Sequence, residues 1–410
     1  MDHVIVVGAG LAGLRAAEAL RSRGYEGALT LVGAEDRPPY DRPPLSKAVL
    51  TGESDDTALP ADWERLRCAL LLGTRAEALR LCDDRPGGTL RTSTGPLSFD
   101  GLVIATGAVP VRLPGEGPQH VLRTLDDALR LRGALRAGAR VAIVGAGWIG
   151  AEVASVAAGL GSRVTVLEAA GAPLAGSLGP ALGAATADWY TAAGVRLRCG
   201  IRVDSVDVGG LTLSGGEFVP ADVVLSGVGV RPDTGWLAGS GLDAGGGVLV
   251  DDRLRTARPE VVAAGDCAAW WSRRYGRRLR AEHWDTALNA PDVAAATLLG
   301  QDASYDPVPY VWSEQFGRMV QYAGHHTGAE RLVLRGSPDT AAWTALWLAG
   351  DRLAALLTVD RPRDMAQGRR LIGRAAPLDP GLAADPGTAL SDALRTPAAP
   401  STPPPNRIPR

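Results

Sequence analysis

Glycines at a fixed spacing, followed by a carboxylate, are the residues best suited to do chemistry in this 410-residue chain. Gly8, Gly10 and Gly13 stand in G-x-G-x-x-G spacing, and Glu35 follows them. The first glycine permits a tight turn, the second lets a pyrophosphate approach the backbone, and the third lets a helix pack on a strand. An acid about 20 residues further on hydrogen-bonds a ribose. The set predicts a bound dinucleotide.

The same arrangement occurs a second time in the chain. Gly145, Gly147 and Gly150 repeat the spacing, and Glu168 takes the place of the acid. Two such sites predict two dinucleotides, and a flavin with a nicotinamide is the pair that can exchange a hydride. The alternative is a duplicated fold in which one of the two sites is inactive.

Both glycine sets stand where a strand would turn into a helix. Val4 to Val7 form a continuous β-branched run, which is typical of a parallel strand buried on both faces. A helix over Leu11 to Leu20 and a strand over Leu29 to Val32 should follow, and Arg163 to Leu167 is the equivalent strand of the second set. The pattern predicts an α/β protein with two doubly wound parallel sheets.

Composition excludes several classes of function. The 43 basic and 45 acidic residues almost balance, so nucleic-acid binding is not indicated. The apolar run from Val141 to Leu160 contains Gly145, Gly147, Gly150 and Glu152, so we expect a strand-turn-helix and no membrane span. The first strand begins at Val4 and leaves no room for a signal peptide, so we expect a cytoplasmic location.

Cysteine and histidine give no sign of thiol or metal chemistry. Cys68, Cys82, Cys199 and Cys267 form no C-x-x-C pair, which argues against a redox-active disulfide. The five histidines show no ligand spacing with cysteine, and we interpret His325-His326 as a strand end. We predict no metal site.

Several further segments resemble one family of flavoproteins. They are YDRPPLSK from Tyr40 to Lys47, Ala105-Thr106-Gly107, Leu122 to Ala128, Gly227 to Pro232, Ala264-Gly265-Asp266, and Val308 to Gln315. Together with the glycine sets they resemble, in order and spacing, the FAD-dependent, NADH-using ferredoxin reductases of bacterial oxygenase systems, the putidaredoxin reductase and Rieske dioxygenase ferredoxin reductase family.

The resemblance implies a glutathione-reductase-like architecture. Residues 1–114 and 245–315 should form a split FAD domain, residues 115–244 an inserted NAD domain, and residues 316–395 a C-terminal α/β domain. We read strands of this last domain in Arg318 to Tyr322, Arg331 to Leu334, Ala342 to Leu348 and Leu353 to Val359. The proline-rich residues 396–410 should be a disordered tail.

The resemblance also implies site residues. Lys47 and Glu152 should form an ion pair near flavin N5, which orients the ring and balances charge when hydride arrives; a plain structural salt bridge is the alternative. The positions expected to contact FAD are Gly8, Gly10, Gly13, Glu35, Arg42, Lys47, Ala76, Thr106, Gly107, Arg123, Asp266, Trp284 and Trp312. Those expected to contact the nicotinamide cofactor are Gly145, Gly147, Gly150, Glu168 and Gly229.

Glu168 predicts a preference for NADH over NADPH, because a carboxylate accepts from ribose hydroxyls and repels a 2′-phosphate. Residues 169–172 contain no arginine that could neutralise such a phosphate. The chain departs from the family pattern at Asn289-Ala290-Pro291, where we expect Asn289 as N-cap and Pro291 at the first helical position. Phe316 also stands where tyrosine is common.

The expected function is hydride transfer from NADH to FAD, followed by single-electron transfer to a [2Fe-2S] ferredoxin that feeds an oxygenase. The alternatives are a flavoprotein with another acceptor, such as rubredoxin, a quinone or oxygen, and a redox-sensing binding flavoprotein. The candidate surface for ferredoxin docking lies beside Trp270 and Trp271 and holds Arg273, Arg274, Arg277, Arg278 and Arg280. A solvated hairpin is the alternative there.

Overall fold

A computed structural model of the chain describes residues 1–395 and contains two compact units, residues 1–318 and residues from 319 on. The tail expected at 396–410 lies outside the described residues. Within residues 1–395, no helix combines the length and the apolar run needed to cross a bilayer.

The first sheet of the larger unit is parallel and carries the first glycine set. Its strands pair in the order Val261–Ala263, Gly101–Ile104, His3–Val7, Ala28–Val32 and Cys68–Leu71. The central strand is fully buried at Val4, Ile5 and Val6, as its β-branched run predicts. Strand His3–Val7 precedes the first glycine turn and its helix, and strand Ala28–Val32, which follows that helix, pairs with it in parallel. This arrangement is typical of doubly wound sheets.

The second sheet carries the second glycine set and is also parallel. Its strands pair in the order Arg196–Cys199, Arg163–Glu168, Arg140–Val144 and Val223–Ser226. All four lie in sequence after Gly101–Ile104 and before Val261–Ala263, which are neighbours in the first sheet. The second sheet is therefore an insertion between two strands of the first.

Smaller sheets surround these two. The antiparallel ones are formed by Ala76–Leu81, Gly88–Thr92 and Gly95–Phe99; by Val203–Asp207, Gly210–Leu213 and Phe218–Pro220; and by Ala108–Pro110 with Val230–Pro232. Val248–Val250, Ala268–Ser272 and Arg277–Leu279 make a mixed sheet, and Tyr310–Gln315 is a further strand.

Three helices of this unit bear on the site. Leu11–Ser22 begins directly after the first glycine turn, Trp148–Gly159 directly after the second, and the third is Trp284–Leu298. The other α-helices are Ala48–Thr51, Trp63–Leu66, Leu125–Ala134, Ala175–Leu178, Pro180–Ala184 and Ala187–Ala192, and the 3-10 turns are Pro43–Ser46, Gly235–Leu237 and Gly265–Cys267.

The start predicted for the last helix at Pro291 is wrong. The helix begins at Trp284 with His283 as N-cap, and Pro291 lies inside it, buried. A proline inside a helix costs roughly 3 kcal/mol, because it has no N–H to donate and its ring crowds the preceding turn. The helix packs along Leu11–Ser22, and Arg23 at the end of that helix pairs with Asp292 at 2.6 Å. Burial of this helix face outweighs the local preference to begin at proline.

The smaller unit is an antiparallel sheet with helices. Its strands pair in the order Arg318–Gly324, Arg352–Val359, Trp343–Ala349 and Arg331–Arg335, which confirms the four predicted strands with small differences at their ends. Helices Pro362–Arg374 and Pro380–Ala384 and the 3-10 turn Leu390–Asp392 follow. The predicted fold class, two Rossmann-like sheets with a C-terminal α/β unit, is confirmed.

Candidate functional site

In the first glycine turn, backbone atoms crowd the first and third glycines, whereas the middle glycine faces open space. A Cβ at Gly8 would stand 2.1 Å from the Ala105 carbonyl oxygen, and one at Gly13 would stand 1.8 Å from the Gly8 carbonyl oxygen. A Cβ at Gly10 would have nothing within 4 Å. Helix Leu11–Ser22 has no side-chain cap and no acid in its first turn, so its N–H groups and dipole are available to an anion.

The second glycine turn has the same design. A Cβ at Gly145 would stand 2.4 Å from the Gly227 carbonyl oxygen and one at Gly150 would stand 2.0 Å from the Gly145 carbonyl oxygen, whereas Gly147 faces open space. Helix Trp148–Gly159 also lacks a side-chain cap and an acid in its first turn. Both turns thus leave a space above the middle glycine, where a side chain would obstruct a phosphate.

The two acids that follow the turns are held differently. Glu168 accepts the N–H of Ala146, inside the second glycine turn, and the N–H of Ala170, each at 2.7 Å. Glu35 instead accepts the Tyr40 hydroxyl at 2.6 Å and the Arg42 guanidinium at 2.9 Å. Backbone N–H groups therefore fix the Glu168 carboxylate, whereas side chains of the YDRPPLSK segment fix the Glu35 carboxylate.

Arg42, Arg123 and Asp266 form a chain of hydrogen bonds. The Arg42 guanidinium donates to the Arg123 carbonyl at 2.6 Å, and the Arg123 guanidinium donates to Asp266 at 2.7 Å. The Nε atom of Arg123 is buried and has no hydrogen-bond partner in the part of the chain that the structure describes. A buried guanidinium N–H without a partner fits a missing acceptor such as a phosphate or a hydroxyl.

Thr106 and Gly107 lie in the turn that follows strand Gly101–Ile104, against the first glycine turn. The Thr106 hydroxyl donates to the Asp233 carbonyl at 2.7 Å. Gly107 has a φ of +70°, and a Cβ there would stand 3.1 Å from the Arg123 guanidinium. These residues therefore lie beside the same arginine that contacts Asp266.

Ala76 and Gly229 lie at the beginnings of strands in two of the smaller antiparallel sheets, Ala76 as the first residue of Ala76–Leu81 and Gly229 directly before Val230–Pro232. Ala76 begins strand Ala76–Leu81, two residues after Thr74, whose N–H donates to the Gly33 carbonyl at 2.8 Å. Gly229 has a φ of +106°, which suits glycine, and its carbonyl accepts the N–H of Val111 at 3.0 Å.

The predicted ion pair between Lys47 and Glu152 is present, with 2.8 Å between Nζ and Oε2. Glu152 lies in the second turn of helix Trp148–Gly159 and its side chain is 5% exposed, whereas Lys47 is 22% exposed. Glu152 also accepts the hydroxyls of Ser46 and Ser313. The pair therefore joins the YDRPPLSK segment, which follows Glu35, to helix Trp148–Gly159, which follows the second glycine turn.

Trp284 and Trp312 belong to an aromatic cluster around His283. The Trp312 ring centroid lies 4.3 Å from that of His283 and 5.6 Å from that of Trp284. The indole N–H of Trp284 donates to Asp41 at 2.7 Å, and the Trp312 N–H donates to His283 Nε2 at 3.2 Å. Burial lowers the pKa of His283 to about 4, so the imidazole stays neutral at pH 7 and can accept this bond.

The arginines of the candidate docking surface lie on and beside the hairpin of Ala268–Ser272 and Arg277–Leu279. Arg273 pairs with Asp252 and Arg280 pairs with Glu282. Arg278 donates to the Val250 carbonyl at 2.7 Å. Trp270 is buried and Trp271 is 43% exposed, so one of the two tryptophans faces solvent, and it pairs with the exposed Arg278 of the neighbouring strand.

Four polar residues at the site were not among the predicted site residues. Ser46 and Ser313 contact Glu152, Tyr40 contacts Glu35, and His283 contacts Trp312. Ser46 and Tyr40 stand inside the YDRPPLSK segment, so their place beside Arg42 and Lys47 gave a usable signal. Ser313 lies inside the segment from Val308 to Gln315 and His283 precedes Trp284, but the sequence does not show which residues they contact, because those partners are 161 and 29 residues away.

The geometry fits a dinucleotide at each glycine turn. Each turn offers an uncapped helix start with open space above it, and the buried Arg123 Nε lacks an acceptor beside the first turn. The four cysteines are free thiols, and no group of three or more potential metal ligands occurs among residues 1–395. The arrangement can therefore hold two dinucleotides and place a Lys-Glu ion pair between the elements that bind them.

Comparison with known proteins gives the family. Residues 2–290 match the model of the pyridine nucleotide-disulphide oxidoreductases, and residues 310–394 match the reductase C-terminal model. The ferredoxin–NAD(+) reductase component of the anthranilate 1,2-dioxygenase system of Burkholderia cepacia is 37% identical, with 96% of this chain and 99% of that relative covered.

Two solved structures are also similar over nearly the whole chain. The crystal structure of Fdr9 has a TM-score of 0.90 at 46% identity and covers 95% of this chain and 99% of its own. The covalent putidaredoxin reductase–putidaredoxin complex has a TM-score of 0.90 at 32% identity and covers 96% of this chain and 98% of its own. With these matches and the two glycine turns, the chain belongs to the pyridine nucleotide-disulphide oxidoreductase family.

Proposed function

We propose that this protein is a cytoplasmic NADH-dependent ferredoxin reductase that holds FAD at the first glycine turn and binds NADH at the second. The observation that carries the proposal is the Lys47–Glu152 ion pair, because it joins the proline-rich segment of the first site to the first helix of the second. The relatives named as ferredoxin reductase components, matched over almost their full length, support the same function.

Residues 1–114 and 245–315 would hold FAD, and residues 115–244 would bind NADH. At the FAD site, the N–H groups at the start of helix Leu11–Ser22 would face the pyrophosphate, and Glu35 would accept from the ribose. Arg123 and Asp266 would lie further along the cofactor, where the unpartnered Nε of Arg123 needs an acceptor. The other FAD contacts that we propose are Gly8, Gly10, Gly13, Arg42, Lys47, Ala76, Thr106, Gly107, Trp284 and Trp312.

NADH would bind at Gly145, Gly147, Gly150, Glu168 and Gly229. Glu168 supports NADH over NADPH, since its two oxygens are fixed by backbone N–H groups and retain lone pairs for ribose hydroxyls. A 2′-phosphate brought to this carboxylate would meet a like charge.

Bound FAD supplies the change from two-electron to one-electron transfer. The chain's own residues hold the reactants and control charge. Lys47 provides a partly buried ammonium that Glu152 holds in place, and a fixed cation stabilises negative charge that develops nearby. Trp284, Trp312 and the neutral His283 form a wall that presents aromatic surface in place of water.

We propose a [2Fe-2S] ferredoxin, serving an oxygenase, as the electron acceptor. Its docking surface would be the hairpin with Arg273, Arg274, Arg277 and Arg278, next to the exposed Trp271. Because Arg273 and Arg278 already have partners, the exposed Arg277 would contribute most to attraction of an acidic partner.

The experiment that tests this function is stopped-flow absorbance of the purified holoenzyme, mixed anaerobically with NADH and then with a panel of [2Fe-2S] ferredoxins. Fast flavin bleaching followed by recovery only with a ferredoxin is the expected result. Bleaching that no ferredoxin reverses would overturn the proposal that a ferredoxin is the acceptor, but it would leave the FAD and NADH assignments in place. Absence of bleaching with NADH would overturn the function as a whole.

A further inference from the structure

The carboxylate of Glu152 is surrounded by donors from separate stretches of the chain. Its Oε2 atom accepts the Ser46 hydroxyl and, at 2.8 Å, the Lys47 ammonium. Its Oε1 atom accepts the Ser313 hydroxyl at 2.6 Å and the N–H of Glu314 at 3.3 Å. Each oxygen therefore has two donors, which matches a carboxylate that only accepts hydrogen bonds.

Ser313 is itself held in one orientation. Its oxygen accepts the side-chain amide of Gln315 at 3.0 Å, so its hydrogen is directed to Glu152. Ser313 and Gln315 are both completely buried, and Glu152 is nearly so. Burial strengthens these bonds, and the order of donation runs from Gln315 through Ser313 to Glu152.

Lys47 depends on Glu152 for its position. The ammonium ends a flexible four-carbon stem, and its other contacts are long, at 3.3 Å to the Pro43 carbonyl and 3.5 Å to the Ser46 hydroxyl. Glu152 is the one acid that forms an ion pair with it in residues 1–395. Lys47 is also the only lysine in the chain, which uses arginine at every other basic position. The cation that pairs with Glu152 is therefore an ammonium and not a guanidinium.

We infer that Ser313, oriented by Gln315, is a positioning residue that fixes the Lys47 ammonium by holding the Glu152 carboxylate, with Ser46 acting on the other carboxylate oxygen. The inference rests on the proposed function, because it concerns the ion pair at the site where NADH and FAD would meet. Loss of the Ser313 hydroxyl leaves Oε1 with one long donor and frees the carboxylate to rotate. The ammonium then moves with it.

Ser155 provides a matched control. It lies one turn further along the same helix and accepts the N–H of Phe316 at 3.1 Å, just beyond strand Tyr310–Gln315. Ser155→Ala therefore removes a hydrogen bond between helix Trp148–Gly159 and the segment around Ser313. This hydrogen bond does not involve the Glu152 carboxylate.

The test compares Ser313→Ala, Ser46→Ala and Ser155→Ala in the holoenzyme. Growth on ¹³C-labelled lysine labels Lys47 alone, so its Cε resonance reports the ammonium environment directly. The midpoint potential of the bound flavin and the limiting rate of flavin reduction by NADH are measured on the same samples. We expect Ser313→Ala to shift the resonance and the potential and to lower the limiting rate roughly 10-fold, while Ser155→Ala matches the wild type.

A double-mutant cycle gives the deciding comparison. In a Lys47→Met background, Ser313→Ala should cause no further loss of rate, because the group through which it acts is gone. Equal, additive losses in both backgrounds would overturn the inference, as would a Lys47 resonance unchanged by Ser313→Ala. Should Ser313→Ala fail to fold, Ser46→Ala makes the same comparison. Failure of the proposed function is seen separately, as a wild-type flavin that NADH does not reduce.

Discussion

Lys47 Nζ lies 2.8 Å from Glu152 Oε2 although the two residues are 105 positions apart in the chain. One belongs to a segment stiffened by prolines and the other to the helix after the second glycine turn. Neither element would fix a long lysine side chain by itself. The site thus depends on the insertion of the second sheet between two strands of the first, which brings these elements together.

Replacement of Lys47 by methionine keeps the length of the stem and removes the charge. We expect flavin content to stay at the wild-type level and the rate of flavin reduction by NADH to fall about 100-fold, because the oriented cation is lost. Stopped-flow absorbance measures the rate. Arg37→Ala is the control, since Arg37 lies just before the YDRPPLSK segment and forms an exposed pair with Asp126. An unchanged rate in Lys47→Met with full flavin content would mean that the pair is only a structural salt bridge.

Local spacing predicted the glycine turns and the two acids, whereas the family resemblance predicted the Lys47–Glu152 pair, whose members are 105 positions apart. The glycine turns, Glu35 and Glu168 lie at the ends of predicted strands, and the strand-turn-helix units recur as predicted. Ser313 could not be predicted in this way, because its role depends on a carboxylate 161 residues away. Pro291 misled the prediction for a related reason, since the packing of its helix on Leu11–Ser22 overrides the local signal.

Replacement of Glu168 by glutamine should relax the preference between the nicotinamide cofactors. The amide keeps one acceptor oxygen but loses the negative charge that repels a 2′-phosphate. We expect the KM for NADH to rise and the NADH to NADPH ratio of kcat/KM to fall about 10-fold or more. Glu217→Gln is the control, because Glu217 is an exposed partner of Arg198 on a neighbouring hairpin. An unchanged ratio would mean that another group selects the cofactor.

His283 should make the stability of the fold depend on pH below neutrality. Burial lowers its folded-state pKa to about 4 from an ordinary value of 6.5. Between these values the unfolded chain binds the extra proton, so stability falls as the pH falls through the window and is unaffected above it. The loss attributable to this group by pH 4 is about 3 kcal/mol.

The measurement is urea unfolding from pH 7.5 to 4.5 in the wild type and in His283→Gln, which cannot titrate. Below pH 6.5, the wild type should lose stability more steeply than the variant, and the two slopes should agree above that pH. Parallel slopes throughout would show that His283 remains uncharged or exposed in both states.

Arg335 and Asp364 form a buried ion pair in the smaller unit, with 2.9 Å between Arg335 Nε and Asp364 Oδ2. Burial alone would raise the pKa of Asp364, but hydrogen bonds from Arg335, Thr344 and Arg361 outweigh it and lower the pKa. Arg335 also donates to the carbonyls of Ala383, Asp385 and Thr388, and thereby connects the end of helix Pro380–Ala384 and the turn after it to the sheet.

Arg335→Ala should cost about 3–5 kcal/mol of unfolding free energy, because it leaves a buried carboxylate without its main partner. Arg331→Ala, at an exposed position of the same strand, should change it by less than about 0.5 kcal/mol. Urea unfolding at pH 7 measures both. In the wild type the contribution of Asp364 is present above pH 3.8 and is lost as the pH falls through its lowered pKa. A loss in Arg335→Ala as small as that in Arg331→Ala would rule out a stabilising role for this pair.

The arginine hairpin should control the rate at which a ferredoxin associates with the protein and should not affect the reduction of the flavin by NADH. Charge reversal at Arg274 and Arg277 replaces attraction of an acidic partner by repulsion, which acts on the encounter rate over the Debye length. We expect kcat/KM for ferredoxin to fall about 10-fold at low salt and its salt dependence to flatten, while flavin reduction by NADH is unchanged. Arg80→Glu combined with Arg91→Glu, two exposed arginines on the antiparallel strands Ala76–Leu81 and Gly88–Thr92, controls for the change in net charge. If this double variant lowers kcat/KM as much as the hairpin variant does, the effect comes from total charge and the docking surface lies elsewhere.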